Sequence, residues 1–324
     1  MIKAVVIAGV GSVILLVIGV WVGNRGGTGS RGPTDVPKAP PLSSLIRFDP
    51  AARTWHLEQK DLSYRYASGS FADVAVGEGA VWVSGSFQIN RIDPASGESL
   101  ATIASGNSPV EVGYHSVWTA DSRIDVGTNE LYGTVPSLRQ GQTYTVDGLA
   151  VGAGSAWTTT QDGSIVRREP HGGRIDDEIH VGSGATAIAA GEEGLWVIDS
   201  FSSEVYRLDT QTDRAVWHGE LQGNLTSICV GEGSAWVLDG DAGQVIPIDA
   251  STNEIGSPIR VGRDPWSITV GLGAVWIADQ GDGDLWRIDP LTEKATRFSI
   301  GAPMLAVAAD ESNHVLWIAV GKTS

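Results

Sequence analysis

Four aspartates carry the best-placed chemistry in this chain. Asp121, Asp199, Asp239 and Asp279 each stand three residues after a tryptophan, namely Trp118, Trp196, Trp236 and Trp276. If those tryptophans mark equivalent places in a repeat, the carboxylates project from one end of it. Such a ring suits Ca2+ or another hard divalent cation, or a cationic ligand. The competing role is capping, because a short carboxylate readily accepts the backbone N–H groups of the loop that follows it. Repetition of one residue type fits capping well. Asp264-Pro265-Trp266 offers an aromatic platform at the same end, with packing between repeats as its ordinary alternative. Asn224-Leu225-Thr226 is the matching loop one repeat earlier. The candidate ligand-binding set is therefore Asp121, Asp199, Asn224, Asp239, Asp264, Trp266 and Asp279, with a divalent cation as the one cofactor it could hold. No catalytic residue is assigned.

Other chemistries lack their parts. The alternating acids of 279–284 resemble a calcium loop, but the closing Glu is absent, so a glycine-rich hairpin is the better reading. The six histidines are scattered without metal spacing, and no Gly-x-Ser-x-Gly elbow exists. The Gly-x-Gly words precede strands, so no helix N-terminus is available to a phosphate. Cys229 is the only cysteine; it lies in an apolar strand and reads as a small packed hydrophobe. A formal charge of −16 opposes binding to the nucleic-acid backbone.

The elements that must position these residues come from a repeat. Gly271-Leu272-Gly273-Ala274-Val275-Trp276-Ile277-Ala278-Asp279 has close copies at 231–239, 191–199 and 77–82, and weaker ones ending at Trp118, Trp157 and Trp317. The anchoring tryptophans fall at 82, 118, 157, 196, 236, 276 and 317. A period of about 40 residues with strand-like segments marks propeller blades. Each unit reads as four strands of period two: an apolar inner strand, the Trp strand, a strand such as Arg287-Ile288-Asp289, and an outer strand. The recurrent Asp of that third strand should cap its own turn. The repeat after Trp118 is irregular: Arg123-Ile124-Asp125 comes too early for a third strand, and 121–140 reads as a long or distorted loop. Ile46-Arg47-Phe48-Asp49 with Thr54-Trp55-His56-Leu57 supplies two strands of a blade, and 305–309 with 315–320 supplies the other two. Joining them closes the ring and removes its free edges. The predicted fold is all-β, a seven-bladed propeller over 44–324, closed by pairing the two ends.

Ahead of it, residues 4–22 are uncharged and almost wholly apolar. Nineteen residues of helix span about 28 Å, close to the bilayer core. The span reads as an uncleaved anchor within 1–23, preferred over a cleaved signal peptide because Trp21 would sit where cleavage needs a small residue. Residues 24–43, rich in Gly, Pro, Ser and Thr, read as a flexible tether. The charges flanking the span do not orient it; the short tail favours export of the bulk of the chain.

The words Gly-x-Gly-Ala-Val-Trp-Ile-Ala-Asp and Arg-Ile-Asp-Pro-x-x-Gly resemble the propellers grouped around virginiamycin B lyase and the YncE and YVTN-type proteins, over about 44–320. The lyase resemblance implies a Mg-dependent site of glutamates three residues after each blade Trp, with histidines in the loops entering the first strand. Here those Trp+3 positions are Gly85, Asp121, Thr160, Asp199, Asp239, Asp279 and Val320, and the entering loops carry no His. The lyase activity is not carried over, since its general base is missing. A membrane span, a tether and an external propeller also resemble the sensor end of bacterial receptor kinases and regulators. The expected function is a membrane-tethered, extracytoplasmic, non-catalytic binding or sensor module for a small-molecule or protein ligand. The alternatives are a metal-dependent lyase or lactonase and an interaction scaffold.

Overall fold

The computed structural model describes residues 39–60, 73–85, 88–105, 109–120, 122–132, 146–160, 162–191 and 194–321. The expected span, most of the expected tether, and Asp121 lie outside them. Among the described residues no helix is long and apolar enough to cross a membrane.

Twenty-eight strands form seven antiparallel four-stranded sheets among the described residues. The chain opens with β1 (Ser44–Asp49) and β2 (Thr54–Gln59). Blade 1 is β3 (Val74–Gly77), β4 (Ala80–Gly85), β5 (Gln88–Ile92) and β6 (Ser99–Ala104). Blade 2 is β7 (Glu111–Gly113), β8 (Ser116–Trp118), β9 (Arg123–Asp125) and β10 (Leu131–Tyr132). Blade 3 is β11 (Val146–Gly152), β12 (Ser155–Thr160), β13 (Ser164–Arg168) and β14 (Ile175–His180). Blade 4 is β15 (Ala185–Gly191), β16 (Gly194–Asp199), β17 (Glu204–Asp209) and β18 (Arg214–Glu220). Blade 5 is β19 (Leu225–Gly231), β20 (Ser234–Asp239), β21 (Gln244–Asp249) and β22 (Ile259–Arg260). Blade 6 is β23 (Pro265–Gly271), β24 (Ala274–Asp279), β25 (Asp284–Asp289) and β26 (Lys294–Ser299). β27 (Met304–Asp310) and β28 (Val315–Val320) finish the chain.

Blade 7 is made from both ends, in the order β2-β1-β28-β27. Ile46 pairs with Ile318, Arg47 with Trp317 and Phe48 with Leu316. One expectation needs correction: Arg123-Ile124-Asp125 is the third strand of blade 2. It arrives early because the hairpin between β8 and β9 is short, with Thr119 N–H donating to the Ser122 carbonyl at 2.9 Å.

Burial follows position in the blade. β24 is buried along its whole length, because both of its faces meet a neighbouring blade. The outer strand β26 exposes Lys294, Arg297 and Ser299. All seven anchoring tryptophans are buried, at 1% exposure or less. Five of them donate their ring N–H to the carbonyl of the glycine ending the inner strand, as Trp276 does to Gly271 at 3.0 Å.

That first glycine of the Gly-x-Gly word serves close approach, not the turn. A Cβ on Gly231 would stand 2.7 Å from Cγ1 of Val270 in the next blade. Gly77, Gly113, Gly152, Gly191 and Gly271 meet Val112, Val151, Ala190, Val230 and Ala309 in the same way. The turn itself uses the next two residues, such as Glu232 and Gly233, both with positive φ, as a tight two-residue hairpin requires. In blade 7 Asp310 replaces the first glycine, and its carboxylate takes the Trp317 ring N–H at 3.2 Å.

The arginine of the third strand ties blade to blade. Arg91 lies over the Trp82 ring at 5.1 Å and donates to Val126 O and Asn129 Oδ1 in blade 2. Arg167 lies over Trp157 and reaches Asp213, and Arg207 lies over Trp196 and reaches Asn253. Each partner is the fifth residue of a turn opened by a capping acid. All seven such acids accept the N–H groups two and three residues on, as Asp249 does from Ser251 and Thr252. Those bonds and the Ser251 and Thr252 hydroxyls hold the Asp249 carboxyl down at about 2. Blade 5 has Pro247 where the arginine would be, opposite Trp236, and the fifth residue of the next turn is Glu293. Pro247→Arg is expected to supply the missing tie and raise stability by about 0.5–1 kcal/mol. A denaturant midpoint unchanged or lowered by the substitution would refute that reading.

Candidate functional site

The inner strands carry a repeated irregularity at one end of the ring. In β15, β19, β23 and β27 the pairing skips a single residue: Thr186, Thr226, Trp266 and Leu305. Such a bulge re-aims the extra side chain. All four line one cavity of about 450 Å³ at the mouth of the channel, together with Asp73, Ser200 and Asn224. A second cavity of about 340 Å³ continues down the channel past Thr186, Thr226, Ser227 and Ser267 to Glu111 and Thr269. Among the described residues no Lys, Arg or His lines either cavity.

Of the residues singled out in the sequence, Asn224 and Trp266 meet in this mouth. Asn224 Nδ2 also donates to Asp241 at 3.1 Å. Asp264 is exposed and does not line it; its backbone N–H donates to Asp279. Asp199, Asp239 and Asp279 are buried at 1% exposure or less, and none lines either cavity. Their carboxylates tie the loop entering the inner strand to the hairpin after the Trp strand. Asp199 accepts N–H groups from Ser183, Phe201 and Ser202. Asp239 accepts them from Asn224 and Ala242, and a side-chain N–H from Gln244. Asp279 accepts them from Arg263, Asp264 and Asp282. Burial acts to raise the Asp199 carboxyl, but the Ser183 and Ser202 bonds outweigh it and hold it below its ordinary value. These aspartates shape the mouth from behind. The other acids of 279–284 are engaged too, Asp282 with Arg263 at 3.1 Å and Asp284 with Arg297 at 2.6 Å. Among the described residues no group of three or more His, Cys, Asp or Glu could hold a metal ion. Burial pushes the Cys229 thiol up, which keeps it protonated and unreactive.

No protein-family profile matches this chain, and no curated protein matches it.

Two channel residues escaped the sequence reading. Asp73 precedes β3; its Oδ1 accepts the Val74 N–H at 2.9 Å and its Oδ2 accepts the Val110 N–H of blade 2 at 3.0 Å. Burial raises its carboxyl to about 6 against those two bonds. Glu111 pairs with Trp118 in β7. Burial, then the neighbouring Asp73 charge, push its carboxyl up to about 8, against a bond from Val112 N–H. Glu111 is exposed by surface area, and it lines the channel cavity. A signal for both was present in the chain. Glu111 is the seventh residue before its blade Trp, where five other blades have alanine, cysteine or threonine two residues before the same glycine.

The rim adds one further aromatic. Phe201, beside Ser200, is 69% exposed and lies over Gly184, where a Cβ would run into its ring.

Proposed function

We infer that this chain is a membrane-tethered propeller, displayed outside the cytoplasm, that binds a small ligand at its channel mouth without transforming it. The convergence of four bulged residues from four consecutive blades on one cavity carries the reading. Its volume of about 450 Å³ falls in the range of small-molecule sites. Trp266 and Leu305 offer an apolar face, while Thr186, Thr226, Ser267 and Asn224 offer hydrogen bonds. Asp73 at the wall favours a neutral or cationic ligand over an anion. The chemistry described is a compact molecule with one flat apolar side and amine or hydroxyl groups on the other. The tether and the export rest on the apolar run 4–22 and the short tail before it.

Calorimetry of the full-length chain with a panel of aromatic amines and amino alcohols tests the binding. Trp266→Ala is expected to weaken any ligand that binds by roughly tenfold or more, as loss of an aromatic anchor does. Equal affinity of variant and parent across the panel would remove the mouth from consideration. Protease added to intact cells tests the topology: the propeller is expected to be cleaved, and full protection contradicts export.

A further inference from the structure

The seam between blades 1 and 2 differs from its neighbours in its ionisable groups. Asp73 ties it at the channel end, through Val110 N–H, while Arg91 and Glu78 tie it elsewhere by bonds to Val126, Asn129 and the His115 N–H. Glu111 follows one residue later and faces the same channel cavity. At the register position of Glu111, opposite the blade Trp, the other six blades place Ala75, Ala150, Ala189, Cys229, Thr269 and Ala308. Packing there needs only a small residue, so a glutamate is not required by the fold. Two carboxyl groups facing one enclosed space cannot both ionise without repulsion. Blade 2 is also the thinnest blade, with three-residue strands inside and a two-residue strand outside.

The geometry points to Asp73 and Glu111 as two carboxyls of one cavity that make the seam between blades 1 and 2 a pH-responsive joint of the ring. With the proton on Glu111, Asp73 keeps its bonds to Val74 and Val110. Loss of that proton puts two anions in the channel and loosens β7 from β3. The shifts agree in direction: burial raises both carboxyls, and the Asp73 charge adds to the rise of Glu111.

Among the described residues the surrounding elements offer no compensating cation. β4, β8 and β28 contain no titratable residue, β11 has Asp147 in its sequence, and β27 contributes Asp310, which is bound to Asn313 and Trp317. At the far turn Glu78 meets His115 at 3.1 Å, on an exposed imidazole whose pairing contributes little. The joint does not depend on a ligand in the mouth, so it can fail while the binding reading stands.

Hydrogen exchange of the unliganded full-length chain tests it, corrected for the intrinsic pH dependence of exchange. Protection in peptides covering 73–77 and 109–113 is expected to fall roughly tenfold or more between about pH 6 and about pH 9, while the corresponding inner-strand peptides of blades 4 to 6 hold steady. Glu111→Ala, which installs the residue found in most other blades, is expected to abolish that fall; Glu111→Gln provides the same neutral group at full size. His115→Ala should leave it in place. Uniform loss of protection at all seams, or an unchanged pH response in both Glu111 variants, would overturn the proposal.

Discussion

A chain beginning after Lys60 is expected to lose cooperative folding. Removing β1 and β2 strips two strands from blade 7 and leaves β28 as a bare edge. Leu45, Ile46 and Phe48 are essentially fully buried, and each contributes about 1.5–3 kcal/mol on burial. Together that is about 5–9 kcal/mol, comparable to the whole stability of an ordinary domain. Arg47 also leaves the Trp317 ring and the Pro94 carbonyl. The sharp control is a circular permutant cut between β2 and β3, with Gly321 joined to Pro41 through a short linker. It keeps every strand pair and is expected to melt cooperatively within a few degrees of the parent. Calorimetric scans of the two proteins distinguish them; a truncated chain that melts like the parent would contradict a ring closed by its own ends.

The same closure shows why the architecture was legible in the sequence. Seven tryptophans, a glycine word before most of them and two half-blades at the ends are all local patterns. Arg123-Ile124-Asp125 was misread because the strand order was judged by spacing alone, and blade 2 shortens its hairpin. The first glycine of each word was harder still. Its reason lies in a side chain of the next blade, such as Val270 against Gly231, about forty residues away. The site was less legible than the fold. Asp199, Asp239 and Asp279 repeat because they tie loops, whereas residues that differ between blades line the mouth. Trp266 and Asn224 stood out by type. Thr186 and Leu305 could not, since only the bulge aims them.

Stability is expected to peak in mildly acidic solution and to fall as pH rises toward about 8. The sign follows from which state holds protons more tightly. Glu111 and Asp73 have raised values in the folded chain, about 8 and about 6, so the unfolded chain releases its protons first. Their stability is fully present below the ordinary carboxylate values and is lost as pH rises through the folded ones. The capping acids work in the opposite sense. Asp249, at about 2, and Asp93, Asp125, Glu169, Asp209 and Asp289 lie below their ordinary values because backbone N–H groups bind the anion. Their contribution is present above those ordinary values and lost as pH falls through the folded ones. The two sets bracket a maximum near pH 4–5. Because Glu111 is exposed in the channel, the alkaline loss is set at about 1–3 kcal/mol, well below what its full shift would give. Thermal melts of the parent and Glu111→Ala across this range check it. The variant should gain most above pH 7, and identical profiles would contradict the assignment.

The central claim is that the mouth bounded by Thr186, Thr226, Trp266 and Leu305 is where this propeller meets its ligand. A crystal of the protein soaked with the tightest amine or amino alcohol from the binding panel tests it most directly. The account predicts the ligand stacked on Trp266 with its nitrogen turned toward Asp73. A ligand seated only on the opposite face, among the Gly-x-Gly turns, or on the outer strands would contradict it.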